Sequence, residues 1–304
     1  MRKPPNTFSL IGPGRVGSSL AQALCEAGWR CATIVRGKGN VKELSALKLA
    51  FPESCAAESI VDLLNEFSRK DPFGDILFIA VQDDKITSIV EQLVQNENFE
   101  CRGKVVFHVS GTISVQVLAS LRERGASVGA FHPIAAFAKK FNSESARNIY
   151  YDFFGDQDAK SIARKITRQL KSRLLILKSE KERTLLHLAA AFASNSTVIS
   201  VRSAERLVSN FIRKDDANKL MEGLLRSTLH NLYTGTGMES LTGPLKRGDV
   251  NVISQHLKAL GNEHELLQFY KSWSLLGVEE LLRVEHGAAK KQRLKQMKRI
   301  LEAN

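Results

Sequence analysis

The run TFSLIGPGRVGSSLAQALCEAG, beginning at Thr7, limits the possible folds more than any other part of the chain. A short apolar run leads into Gly12, Gly14 and Gly17, and these glycines open an amphipathic helical pattern over Val16–Ala27. Strand, glycine turn and helix in that order predict the first half of a βαβ unit. Gly12 permits the tight turn, Gly14 lets a pyrophosphate approach the backbone, and Gly17 lets helix and strand pack closely. The helix N-terminus adds unpaired N–H groups and a partial positive charge. With Pro13, Arg15 and Val16 completing the loop, the spacing predicts a dinucleotide site.

The second strand, CATIVRGKGN, indicates which dinucleotide. A site for NAD places Asp or Glu there to accept from the ribose 2′-hydroxyl. This strand ends instead in Arg36, followed by Lys38. A guanidinium suits a 2′-phosphate, so NADP is expected, with NAD as the alternative. Another strand ends in ILFIAVQDDKI, which puts Val81 and Asp83 at a carboxyl end beside the cofactor. Asp83 has a second reading, as the cap of the following helix.

From Thr7 to about Leu177, strand-like runs alternate with amphipathic helical ones. The strands are TFSLIG, CATIVR, DILFIAV, KVVFHVS, SVGAFH, IYYDFFG and LLILK; helices are expected over 85–95, 114–124 and 157–171. Such alternation implies a mostly parallel sheet with helical crossovers. After Lys178 the strand signal stops, and 180–210, 215–233, 250–260 and 263–282 read as helices. The expected architecture is an α/β domain over 1–178 followed by an all-α domain over 179–304. The first long helix, apolar on most faces, is expected to be central and buried.

The chemically interesting side chains fall at strand ends. HVSGTIS brings Ser110 and Gly111, and FHPIAAFAKK brings His132 and Pro133. Hydride transfer to a carbonyl or imine needs a proton donor, and His serves near neutral pH. His132 is the first candidate, although a hydrogen-bonded turn residue would look the same; Ser110 reads equally as a cap. In the long helix His187 and Asn195 share one face, separated by roughly 12 Å at 1.5 Å per residue. They would line a groove rather than hold one atom. In LTGPLKRGDV, read as a loop, Arg247 either binds an anionic group or pairs with Asp249, the expected cap of the next helix.

With these segments in view, the chain resembles bacterial Rossmann-like proteins with a helical C-terminal domain of unknown function 2520. IGPGRVGSSLA, AVQDD, HVSGTISVQVL, FHPIAAFA, HLAAAFASN and LTGPLKRGDVNVISQHLKAL carry the resemblance over about Phe8 to Leu282. Gln82 stands where that family commonly has Pro. More distantly the chain is similar to prephenate dehydrogenase, pyrroline-5-carboxylate reductase and the 6-phosphogluconate dehydrogenase-like enzymes. Those relatives imply an N-terminal NAD(P) domain and a helical domain that dimerises. By resemblance to prephenate dehydrogenases, Ser110 and the His132–Pro133 pair lie at the substrate. The β-hydroxyacid dehydrogenases carry a Lys, and an Asn one turn on, in the interdomain helix. This chain has His187 and Ala191 there, a departure from their chemistry.

Together these readings imply an NADP-dependent oxidoreductase acting on a small, anionic substrate between the domains. His132 and then His187 would handle protons, Ser110 and Asn195 would orient, and Gly111, Pro133 and Arg247 would meet substrate. The rival class is a non-catalytic, NADP(H)-responsive binding or regulatory protein. A third reading, hydride exchange with a reduced deazaflavin, follows from relatives of the N-terminal domain. Much of the net charge of +12 sits in a basic tail, 286–304, where Leu294, Met297, Ile300 and Leu301 suggest a helix with an apolar stripe. It predicts neither nucleic-acid binding nor a membrane contact. No uninterrupted apolar run reaches about 18 residues, so no membrane span is expected. The four cysteines lack metal spacing, so no metal and a reducing, cytoplasmic setting are expected.

Overall fold

Among the described residues there are eight strands, most of them where β-branched and aromatic residues cluster between turn signals. The computed structural model describes residues 7–36, 46–47, 49–66 and 72–303; Lys38 lies outside them. The strands are β1 (Thr7–Ile11), β2 (Arg30–Val35), β3 (Cys55–Ala57), β4 (Ile76–Ile79), β5 (Val105–His108), β6 (Ser127–Ile134), β7 (Tyr150–Gly155) and β8 (Arg173–Ile176). They form one sheet in the order β3-β2-β1-β4-β5-β6-β7-β8. Among the described residues the one antiparallel pair is β6 with β7, and β8 runs parallel to β7. The sheet is therefore mostly parallel, as the alternation predicts. β3 escapes the sequence reading because three small, half-buried residues carry no hydrophobic signal.

Helices cover both faces, which is why β4 and β5 are buried at every position. One face is filled by α1 (Arg15–Glu26) and α5 (Gln157–Gln169) over Phe78, Phe107, Phe131 and Tyr151. These four rings meet in turn across adjacent strands at 5.5, 5.3 and 4.6 Å between centroids, the first and last pairs stacked and the middle one tilted. The opposite face is filled by α2 (Ile60–Glu66), α3 (Asp83–Gln95), a short 3-10 turn (Val115–Leu118) and α4 (Ala119–Glu123).

The chain divides into two compact units, Met1–Asn195 and Ser196–Asn304. The division falls inside the long helix α6 (Glu180–Val208). The second unit adds α7 (Lys214–Thr234), α8 (Gly243–Arg247), α9 (Val250–Leu260), α10 (His264–Val284) and α11 (Ala288–Glu302). Its core joins Leu245, Ile253, Val278 and Leu281 to Leu294, Met297 and Leu301 of the basic last helix.

Three expectations need correction. LTGPLKRGDV is not all loop: Pro244 opens the short helix α8, and Gly248 ends it with φ 74° in the left-handed region. The helix α6 is not buried; only Arg183 is, while Leu185, Leu188, Phe192, Val198 and Ile199 stay exposed. An all-round apolar helix demands cover, but composition does not say which chain supplies it. The same helix is long and apolar enough, by length and composition, to cross a membrane. Scattered polar residues hide this from a search for an unbroken apolar run.

Candidate functional site

The glycine turn is built as its spacing requires. Gly12 has φ 91°, and its N–H donates to the Val35 carbonyl at 2.8 Å. A Cβ on Gly12 would lie 2.7 Å from the Ala80 carbonyl oxygen, and one on Gly17 would lie 2.4 Å from the Gly12 oxygen. Both positions exclude side chains for reasons of packing. At Gly14, the N-cap of α1, a Cβ would meet nothing within 4 Å. That open space belongs to a crevice of about 500 Å³ walled by Gly12, Pro13, Gly14, Arg36, Val81, Gln82 and Lys140. It lies at the carboxyl ends of β1 and β4, where the strand order reverses, the usual ligand position in such sheets.

A second cavity of about 430 Å³ shares Gly12, Arg36 and Val81 with the first and adds Glu58, Ser59 and Lys85. Arg36 is buried at its side chain (4 % exposed) and ion-paired with the half-exposed Glu58. The pairing follows from the sheet: β2 and β3 run in register from Thr33↔Cys55 to Val35↔Ala57, so the next residues emerge side by side. Of the remaining loop residues, Arg15 is exposed and Val16 packs against the core, so neither lines these cavities. Asp83 is the first residue of α3 and Gln82 its cap; the Asp83 carboxylate accepts from the Thr112 hydroxyl at 3.2 Å.

The strand ends of β5, β6 and β7 assemble the other half of the site within the first unit. β6 runs on through Ile134, so His132 and Pro133 are strand residues rather than a turn. Antiparallel pairing sets His132 opposite Asp152, and His132 Nδ1 lies 2.9 Å from Asp152 Oδ2. An ionised carboxylate only accepts, so in the neutral ring Nδ1 carries the proton and Nε2 keeps its lone pair. His132 retains 17 % side-chain exposure while Asp152 is buried. The His187 ring stands 5.6 Å from that of His132. Gly111 allows this approach: a Cβ there would be 2.3 Å from His187 Cδ2 and 3.1 Å from His132 Cε1.

Beneath this pair lies Arg183, with its side chain wholly out of solvent. Its guanidinium donates to the carbonyls of Ser110 and Ile113, both at 2.6 Å, to Glu180 at 2.9 Å, and to Asp152 Oδ1 at 3.5 Å. Glu180 in turn accepts from the Ser114 hydroxyl and the Val115 N–H. Ser110 Oγ accepts from the N–H groups of Thr112 and Ile113, which tightens the turn carrying Gly111. The Ser110 hydroxyl proton stays available to a ligand. His108, fully buried on β5 beside the cluster, has no hydrogen-bond partner on either ring nitrogen. Burial first, and the nearby Arg183 and His132 charges second, push it down to about 3, so it stays neutral.

The structure thus brings together Ser110, Gly111, His132 and His187 from the expected set. Asn195, exposed, stands two turns farther along α6. Arg247 belongs to the second unit, where its Nε donates to Asp249 at 2.7 Å. Asp249 occupies the cap position of α9 without capping through its side chain. Asp152, Arg183, Glu180 and Lys140 were missed. A charge in the middle of IYYDFFG, and another in the apolar start of α6, were the available signals, since buried charges require partners. Among the described residues no group of three or more His, Cys, Asp or Glu could hold a metal.

Comparison with known proteins agrees with the fold. The model of a Rossmann-like domain matches residues 1–133, and that of a domain of unknown function (DUF2520) matches residues 149–276. The chain is a Rossmann-like domain followed by a DUF2520 domain. Among solved structures, a Bacteroides fragilis protein designated, provisionally, an NADP oxidoreductase is similar with TM-score 0.70 and 21 % identity, over 89 % of this chain and 96 % of its own. An imine reductase from Myxococcus stipitatus in complex with NADP+ has TM-score 0.60 and 16 % identity, over 96 % and 100 %. A Plasmodium falciparum pyrroline carboxylate reductase with NADP bound has TM-score 0.56 and 12 % identity, over 97 % and 98 %. No curated protein matches the sequence.

Proposed function

We propose that the protein is an NADP-dependent oxidoreductase that moves a hydride to or from a small, anionic substrate. The observation that carries this reading is the crevice left open at Gly14 and flanked by Arg36 and Lys140. Its size and cations suit a pyrophosphate and a 2′-phosphate. The NADP-bound state of two similar structures points the same way. When bound, the cofactor supplies or accepts the hydride. This chain's residues do the rest: the α1 N-terminus and Gly14 hold phosphate, and Arg36, released from Glu58, holds the 2′-phosphate. His132 exchanges a proton with the substrate oxygen or nitrogen through Nε2, while Asp152 fixes the ring from Nδ1. Ser110, next to Gly111 in the chain, and His187, whose ring is 5.6 Å from that of His132, orient the substrate.

Two copies pair through the apolar faces of α6 and α7, where Val198, Leu207, Leu220, Leu224 and Leu232 are exposed. A groove of about 980 Å³ lined by Phe211, Phe269 and Trp273 extends the apolar surface in the second unit. A patch this extensive calls for a partner. A membrane is the poorer one, because inserting α6 would strip Arg183 from Asp152, Ser110 and Ile113. The four free thiols fit a reducing, cytoplasmic setting.

Calorimetric titration with NADPH and with NADH tests the cofactor. NADPH is expected to bind more tightly, and Arg36→Glu to weaken it about 10–100-fold, the worth of hydrogen bonds to a charged group. Absence of binding to either nucleotide removes the enzyme reading. In a substrate screen, His132→Ala is expected to lower kcat about 10²–10⁴-fold with NADPH affinity intact.

A further inference from the structure

We propose that the connection between β6 and β7 forms a wall of the nucleotide crevice, and that Ser19 of α1 is the positioning residue that holds Lys140 of this connection at the cofactor's diphosphate. This deepens the NADP reading and rests on it. After Ile134 the chain leaves β6 and reaches the start of α1, so that Lys140 and Phe141 line the same crevice as Gly12, Pro13 and Gly14. Two fully buried serines fasten it there. Ser18 Oγ donates to the Gly14 carbonyl at 2.6 Å and accepts from the Phe141 N–H at 3.1 Å. Ser19 Oγ accepts from the Asn142 N–H at 3.1 Å and donates to the Lys139 carbonyl at 3.4 Å. One serine oxygen therefore links the peptide that follows Lys140 to Gly14, the glycine at which a Cβ would meet nothing within 4 Å.

Joining two antiparallel strands needs only a tight turn, yet here residues 135–149 are used to reach α1. They are also held in a conformation they would not keep alone. Phe141 has φ 54°, in the left-handed region, which a bulky side chain keeps only where its surroundings impose it. Its ring packs on the core and lies tilted against Phe51, 6.2 Å between centroids. Farther on, Arg147 donates to the Ala23 carbonyl at 3.2 Å and to Glu26 at 3.0 Å, which continues the fastening along α1. The α1 N-terminus offers only roughly half an elementary charge, which a diphosphate exceeds several-fold. An ammonium brought beside Gly14 makes up part of the difference, and Arg36, at the end of β2, is left for the 2′-phosphate. With Ser19 in place, folding orders Lys140 before the nucleotide arrives; without it, binding has to order the connection, and affinity falls.

Calorimetric titration of the full chain with NADPH and NADH, which needs no turnover, tests both parts. Lys140→Gln is expected to weaken both nucleotides by about tenfold, the worth of one hydrogen bond to a charged group. Lys140→Arg, which keeps the charge and binds phosphate, should restore affinity to within about threefold. Ser19→Ala is expected to weaken NADPH by about 3–10-fold in the parent. In the Lys140→Gln background the same change should cost less than about twofold, because the two residues act through one contact. A merely structural Ser19 costs the same in both backgrounds, and such additivity overturns its positioning role. Should Ser19→Ala not fold, the same cycle with Ser18→Ala decides. Unchanged affinity in Lys140→Gln, or a loss confined to NADPH, which would move Lys140 to the 2′-phosphate, overturns its assignment to the diphosphate. A parent that binds neither nucleotide removes the cofactor reading and this inference together; parent-like binding by Lys140→Gln removes this inference alone.

Discussion

Gly14 and Gly17 stand three residues apart in one motif, yet the structure assigns them opposite work, and paired alanine substitutions separate them. At Gly17 a Cβ would sit 2.4 Å from the Gly12 carbonyl oxygen, 3.0 Å from Ala80 Cβ and 3.1 Å from Leu10 Cδ1. The first contact is with backbone and cannot rotate away. Overpacking of this kind costs about 1–3 kcal/mol. The better helix propensity of Ala recovers about 1 kcal/mol. The 2.4 Å contact with backbone puts the overpacking cost in the upper part of that range, about 2–3 kcal/mol, and the net loss of about 1–2 kcal/mol lowers Tm by about 2–8 °C in a domain of this size. Gly14 has φ −71° and ψ −164°, which Ala adopts without strain. The weaker capping of Ala and the smaller entropy of its unfolded chain nearly cancel, so Tm should move by about a degree. The added methyl instead enters the phosphate space of the crevice. Losing one hydrogen bond to a charged group there weakens NADPH about 10–100-fold. Thermal unfolding and nucleotide titration of Gly14→Ala and Gly17→Ala read both effects. Parent-like NADPH affinity in Gly14→Ala, or a parent-like Tm in Gly17→Ala, would refute the division of labour.

Gly111→Ala should fold, because the exposed His187 ring can swing from the new methyl, but His132 loses its clear approach. Turnover in a working assay is expected to fall by about tenfold or more with NADPH affinity unchanged. His108 has a depressed proton affinity in the fold, so the unfolded chain binds the extra proton. The stability it contributes is present above about pH 6.5 and is lost as pH falls toward about 3. His108→Leu should therefore flatten the acid limb of a urea-denaturation series against pH; an unchanged limb counts against this account. Leu224→Glu on the exposed face of α7 should halve the mass seen by light scattering, and an already monomeric parent would end the dimer reading.

What the sequence determined is what short-range physics controls. The glycine turn, the α1 start and the βα alternation depend on residues within a few positions of one another. So do the switch to helices after Lys178 and the strand end that presents Arg36. Local sterics and hydrophobic period decide them, and they carried the Rossmann-like fold and the crevice. The candidate site around His132 is different in kind. His132 was visible, but Asp152 reaches it only through the antiparallel register of β6 and β7, twenty residues on. Arg183 comes from a helix a further thirty-one residues along. In the sequence each is one charge in an apolar segment, and burial that creates the need for a partner does not name the partner. Gly111 looked like a turn glycine; that it makes room for two imidazoles followed only once α6 was laid beside the sheet. The exposed face of α6 marks the same limit: apolar composition demanded cover, and only the folded chain revealed that Leu185, Leu188 and Phe192 stay exposed.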